Sequence, residues 1–113
     1  MPGKYVLALA KNGEFTFNLK AGNSQTILTS ETYKAKKSAL NGIESVRKNG
    51  VTDEHFERRT AKDGRPYFVL KASNGQEIGR SQMYASTATM ENGIASVKKN
   101  AANAALVDLT VEA

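Results

Sequence analysis

Cysteine is absent from the 113 residues. Its absence removes disulfides, Cys-based metal sites and thiol nucleophiles together. A single histidine, His55, leaves no material for a His-rich metal cluster and makes a Ser-His-Asp triad improbable. Long apolar runs are also missing. A membrane span needs about 20 apolar residues and a signal-peptide core roughly 7–15, whereas the opening run stops at Tyr5 to Ala10. That run alternates like a buried first strand. With neither export signal nor cysteine, the expected location is the cytoplasm, away from membranes. What remains is the balance of a soluble globular domain, 40% hydrophobic and 24% charged, in a length suited to one ordinary domain.

The chain repeats itself at an offset of 51 positions. Phe17, Leu19, Lys20 and Ala21 fall on Phe68, Leu70, Lys71 and Ala72. Asn23, Gln25, Ile27, Ser30 and Tyr33 fall on Asn74, Gln76, Ile78, Ser81 and Tyr84. Asn41-Gly42-Ile43 with Ser45-Val46 returns as Asn92-Gly93-Ile94 with Ser96-Val97. A period of this length means one supersecondary unit used twice, and two copies make a closed pair rather than a solenoid. Residues 1–113 are therefore one domain of two repeats, about 5–54 and 55–113.

Within each copy the periodicity changes once. Phe15, Phe17 and Leu19 alternate with Thr16, Asn18 and Lys20, as in a half-buried strand. Turn residues flank that strand: Lys11-Asn12-Gly13 before it and Gly22-Asn23-Ser24 after it. A short strand through Ile27 or Ile78 follows. Ala39, Ile43 and Val46, like Met90, Ile94 and Val97, then mark the core stripe of an amphipathic helix. Phe56 to Ala61 stands where Tyr5 to Ala10 stands, and Leu106 to Val111 takes that place a third time. The order is three strands, helix, three strands, helix, strand. Two helices can then cover one face of a sheet and leave the other wet. Gly42 and Gly93 interrupt helical runs, where Gly costs about 1 kcal/mol relative to Ala. Close packing of the helix on the sheet accounts for them, and a shallow site at the pseudo-two-fold axis is the alternative.

The twofold pattern Leu-Lys-Ala-x-Asn, Ile, Ser-x-x-Tyr, Asn-Gly-Ile-x-Ser-Val resembles the YegP-like family of small uncharacterised bacterial proteins, from about Tyr5 to Thr110. The resemblance implies an α+β fold: two tandem β3-α-β repeats forming a single sheet, with exchanged C-terminal strands. Single-repeat relatives imply that a homodimer can replace the tandem pair, so this chain should be a monomer with internal pseudo-two-fold symmetry. One departure is the start of the first helix, where Ala35 stands in place of the capping Ser86 of the second copy. No activity is implied.

Chemistry in the sequence is sparse. Asp53-Glu54-His55 is the one His-carboxylate cluster, and it reads as a solvated turn in the polar linker before the central strand. Gly13-Glu14-Phe15 lacks the spacing and following helix of a phosphate-binding loop. Ser30 and Ser81 have no visible base to activate them. No catalytic residue, cofactor or metal is expected. Charge alone has a functional slant. Residues 1–50 carry eight basic against three acidic groups, while residues 51–113 carry eight of each. The expectation is a non-enzymatic binding or interaction module for a protein partner. The alternative is salt-dependent nucleic-acid binding through the basic first copy and the open sheet face, by Lys20, Lys34, Lys36, Lys37, Arg47, Lys48, Tyr67 and Lys71.

Overall fold

A computed structural model describes residues 3–110. In chain order the elements are β1 (Lys4–Leu9), β2 (Phe15–Lys20), β3 (Thr26–Ser30), α1 (Lys36–Asn49), β4 (Phe56–Thr60), β5 (Pro66–Lys71), β6 (Glu77–Arg80), α2 (Thr87–Asn100) and β7 (Ala105–Asp108). They realise the order read from the repeats. The last strand is shorter than Leu106 to Val111, because Leu109 and Thr110 already turn away. Val111 lies outside the described residues.

The strands form one sheet in the order β4-β5-β6-β3-β2-β1-β7. Neighbours pair antiparallel except β7, which lies parallel to β1. The two copies therefore meet at β3 and β6. The strand that follows each helix goes to an outer edge of the sheet: β4, after α1, beside β5, and β7, after α2, beyond β1 of the first copy. This is the expected exchange. The strand at Phe56–Thr60, central in the chain, lies at an edge of the sheet.

Local chemistry explains the elements. Gly13, Gly64 and Gly75 take positive φ of 83°, 88° and 86° in the hairpin turns, a region that a Cβ disfavours. Ser24 accepts the same strain, with φ 70°, at the position equivalent to Gly75. In both copies the pairing slips after Leu19 or Leu70, so that Lys20 faces Thr26 and Lys71 faces Glu77. Ile27 and Ile78 are the extra residues of these bulges, and both are buried.

Both helices pack on the face that carries Tyr5, Leu7, Phe17, Leu19, Phe68 and Leu70, all wholly buried. Their stripes Ala39, Ile43, Val46 and Met90, Ile94, Val97 close the core. Helix α1 contacts β5 and β6 of the other copy as well as its own β2, and α2 reaches β3. The halves share one core. Leu28 and Gly79 occupy equivalent positions beside the seam. Leu28 is buried, and a Cβ on Gly79 would lie 2.7 Å from the Thr29 carbonyl and 3.3 Å from Leu28 Cγ. Only one of the two copies can place a large side chain there.

The glycines inside the helices are packing devices. A Cβ on Gly42 would lie 2.5 Å from the Tyr33 hydroxyl and 3.0 Å from the Phe17 ring, and one on Gly93 would collide with the Tyr84 hydroxyl. Tyr33 stacks on Phe17 with ring centroids 6.3 Å apart, and Tyr84 stacks on Phe68 at 6.2 Å.

The helices begin differently. Ser86 forms a capping box with Thr89, whereas Ala35 offers α1 no side-chain acceptor. Ala35→Ser should therefore stabilise the protein by about 1 kcal/mol, read as a higher urea midpoint at unchanged m-value. No gain would mean that the backbone at residue 35 cannot use the cap.

Candidate functional site

The residues singled out by sequence fall into separate places. His55 ends a single 3-10 turn, Asp53–His55. Its Nδ1 lies 3.1 Å from the Lys71 carbonyl oxygen. It borders a broad, open depression of about 430 Å³ with Glu54, Glu57, Lys71 and Ser73. Asp53 is not its partner. That carboxylate receives Lys98 Nζ at 2.6 Å and an Arg58 guanidinium nitrogen at 3.0 Å, and these two cations hold its pKa down to about 2. A carboxylate so committed is a poor base at neutral pH. Arg58 also clamps Glu91 with two bonds, of 2.7 and 3.0 Å, tying the β4 edge to α2.

Ser30 and Ser81 are buried and fully engaged. Each hydroxyl oxygen accepts the backbone N–H of Phe17 or Phe68, at 2.9 and 3.0 Å, and donates to the next carbonyl, of Glu31 or Gln82. They pin the strand ends to the neighbouring strands rather than attack a substrate. Among the described residues no group of three or more His, Asp or Glu side chains is placed to hold a metal, and no helix is long and apolar enough to cross a membrane.

The basic set divides between the two faces of the sheet. Lys20, Tyr67 and Lys71 lie on the open face, opposite the core residues of β2 and β5. There Glu57 takes both Lys71 and Arg59, Arg59 reaches Glu77 at 2.9 Å, and Glu77 holds Arg80. Lys34, Lys36, Lys37, Arg47 and Lys48 lie on or beside α1, on the other face. Lys36 is 2.6 Å from Asp108. Arg47 is absorbed structurally: it pairs with Glu44, donates to the Ala102 carbonyl at 3.1 Å and sits 4.8 Å above the Tyr5 ring. Tyr5 in turn donates to the Ala101 carbonyl at 2.5 Å. The eight residues do not assemble into one platform.

A different arrangement does recur in both halves. Two crevices, of about 360 and 350 Å³, flank the seam. One wall of the first is α1, with Ser38, Asn41, Gly42 and Ser45, beside Tyr33 at the β3–α1 corner. Its other wall is the β5–β6 hairpin of the second copy, with Ala72, Gln76 and Ile78. The second crevice exchanges the roles: Thr89, Asn92, Gly93 and Ser96 of α2 with Tyr84, facing Ala21, Gln25 and Ile27 of the β2–β3 hairpin. Each crevice thus needs both copies. Burial raises the pKa of both tyrosines, so their hydroxyls stay protonated.

Identity between the copies separates structural from unexplained positions. Phe17, Leu19, Ile27, Ile43 and Val46 and their counterparts are core. Asn23 and Asn74 each accept the N–H two residues on, at 3.0 Å, to shape turns that Gly75 and Ser24 complete. Asn49 and Asn100 are buried and bond back to the Ser45 and Ser96 carbonyls. Lys11 and Lys62 sit in hairpin turns, while Lys48 and Lys99 suit the helix dipole. Asn41, Asn92 and Gln76 have none of these duties, and Gln25 has only a long turn bond, its Oε1 accepting from Asn23 Nδ2 at 3.5 Å. All four are exposed, and all four line the crevices. The sequence signal for them was exposed identity at the repeat offset, which periodicity analysis passes over.

A family model described as a domain of unknown function (DUF1508) matches this chain twice, at residues 10–57 and 61–108. A UPF0339 protein of Pasteurella multocida is 60% identical over 111 residues, covering 98% of this chain and 97% of that protein. One from Mannheimia succiniciproducens is 56% identical over 108 residues, covering 96% of each. Among solved structures, the E. coli yegP protein of unknown function superimposes with TM-score 0.93 at 49% identity, covering 100% of this chain and 97% of that one. A UPF0339 protein of Shewanella oneidensis does so with TM-score 0.90 at 50% identity, covering 96% and 92%.

Asp53 and Asp108 predict the acid limb of stability. Both carboxyls are held down to about 2, Asp53 chiefly by Lys98 and Asp108 chiefly by Lys36, against an ordinary value of 3.8. Their contribution is present at neutral pH and is lost as pH falls from about 4 through about 2. Denaturation midpoints measured across that range should decline less steeply in Asp53→Asn and Asp108→Asn. Because these pairs are at the surface, added salt should flatten the wild-type slope. An unchanged slope in both variants would remove the two ion pairs from the account.

Proposed function

The chain belongs to the DUF1508 family, domains of unknown function, and from the geometry above we propose that it is a non-enzymatic binding module for a protein partner, engaged through the two crevices. The observation that carries this reading is the convergence of Asn41, Asn92, Gln25 and Gln76 on those crevices. Core and caps do not require these side chains, and of the four only Gln25 makes a turn contact, a long one of 3.5 Å with Asn23, yet both copies keep them. The crevices are open and polar, and the two candidate nucleophiles, Ser30 and Ser81, are spent on backbone bonds. Recognition rather than turnover suits that arrangement. The tandem supplies both halves in one chain, so the working unit is a monomer.

The nucleic-acid reading retains one supporting feature, the concentration of Lys34, Lys36 and Lys37 at the start of α1. Against it stand the division of the basic set between two faces and the pairing of Lys36, Arg47 and Lys71.

The two readings separate in one experiment. Affinity capture from native-type cells, with and without nuclease, should recover a defined polypeptide that survives nuclease and high salt. The Asn41→Ala, Asn92→Ala double variant should lose it. Capture that nuclease abolishes, that falls steeply with salt and that fails in a Lys34→Glu, Lys36→Glu, Lys37→Glu variant would transfer the function to a polyanion.

A further inference from the structure

Resting on the reading of the crevices as partner sites, the lining common to both limits the chemistry of the ligand that each can take. Seven lining positions correspond between the copies and are identical: Tyr33/Tyr84, Asn41/Asn92, Gly42/Gly93, Ser45/Ser96, Ala72/Ala21, Gln76/Gln25 and Ile78/Ile27. Not one of them is charged. The charged residues, Glu31 and Glu77, line only the first crevice, and Glu77 is already held by Arg59 and Arg80. Their counterparts Gln82 and Thr26 are neutral. A shared ligand therefore carries no obligatory charge, since an ion desolvated there would find no counter-ion common to both sites.

What the shared lining offers is carboxamides. Asn and Gln each present one carbonyl acceptor and two N–H donors, the complement of a peptide group's own carbonyl and N–H. The tyrosine rings are stacked against Phe17 and Phe68, with Gly42 and Gly93 close above their hydroxyls. One face of each ring is therefore already taken by a phenylalanine, which limits stacking of a sugar ring or a nucleobase there. Peptide groups need no such face.

Asn41 and Asn92 also stand where a helix prefers other residues. Each is an exposed mid-helix Asn directly before a Gly, and both types are weak helix formers. Gly is explained by the tyrosine beneath it. Asn is explained by nothing within the fold.

We propose that each crevice binds an uncharged peptide-backbone segment of the partner through Asn41 and Gln76, or Asn92 and Gln25, and that one chain binds two such segments at once. The repeat gives both crevices seven identical lining residues and similar volumes, so a partner with two-fold symmetry or with two copies of the segment is matched twice, and gains from the second contact by effective concentration.

The test uses the full chain labelled with 15N and the blocked dipeptide N-acetyl-glycyl-glycine N-methylamide as probe, with N-acetylglucosamine and inorganic phosphate as comparators. Titration should shift the backbone amides of Gly42 and Gly93 with a common midpoint. Asn41→Ala should remove the response at Gly42 and leave that at Gly93, and Asn92→Ala should do the reverse. Freed of a weak helix former at both sites, the double variant should melt higher by roughly 2–6 °C. A response to the sugar or to phosphate but not to the dipeptide overturns the ligand class. A lower melting temperature in the alanine variants makes the asparagines structural and overturns the proposal from the other side. If partner capture depends on Asn41 and Asn92 while the dipeptide leaves both glycines unshifted, the peptide-backbone inference fails and the binding-module reading stands. If capture ignores both asparagines, both fail.

Discussion

The pairing of β3 with β6 is the joint on which the molecule depends, and it is short. Two register pairs, Thr29 with Arg80 and Ser30 with Gly79, join the copies into one sheet, with one further backbone bond from Glu31 to Ile78. A few backbone hydrogen bonds at about 1 kcal/mol net each would not hold two half-domains together. The seam survives because the helices straddle it. Helix α1 rests on β5 and β6 as well as β2, and α2 reaches β3, so their apolar stripes are buried only when the seam is closed. The edges add the same logic, since β7, which follows α2 of the second copy, pairs with β1 of the first.

Two-fold repetition carries a steric cost near its own axis, where equivalent side chains converge. Leu28 and Gly79 are the resolution: one copy fills the space and the other vacates it. Away from the axis the copies stay alike. The Phe17–Tyr33–Gly42 wedge and its counterpart Phe68–Tyr84–Gly93 bring each helix close to the sheet through a glycine over a tyrosine. The same tyrosines and glycines line the two crevices. A packing device and a candidate site are thus the same construction seen from opposite sides, and Tyr33 and Tyr84 belong to both.

Element order, strand alternation, helix stripes and the missing cap at Ala35 were legible in the residues, because each is a local consequence of period, turn chemistry or capping. The first copy's basic excess was legible too, but not its disposition. Lys20 and Lys36 lie close in sequence yet on opposite faces, and Asp108, which holds Lys36, is 72 positions away in the chain. Charge pairing of that kind depends on which strand lies at which edge. The same holds for Asp53, which sits two residues from His55 in sequence and turns instead to Lys98 and Arg58.

By itself, then, the sequence determined that one supersecondary unit is used twice, that it is three strands and a helix, and that a seventh strand follows. Those are properties of short stretches, set by sterics and by which side chains must leave water. Only the tertiary structure decided the strand order, the edge position of β4, and the building of each crevice from the helix of one copy and the hairpin of the other. Asn41 and Gln76 line one crevice across that junction, and Asn92 and Gln25 line the other. No local rule links them, because what brings them together is the shared core and the seam beneath it.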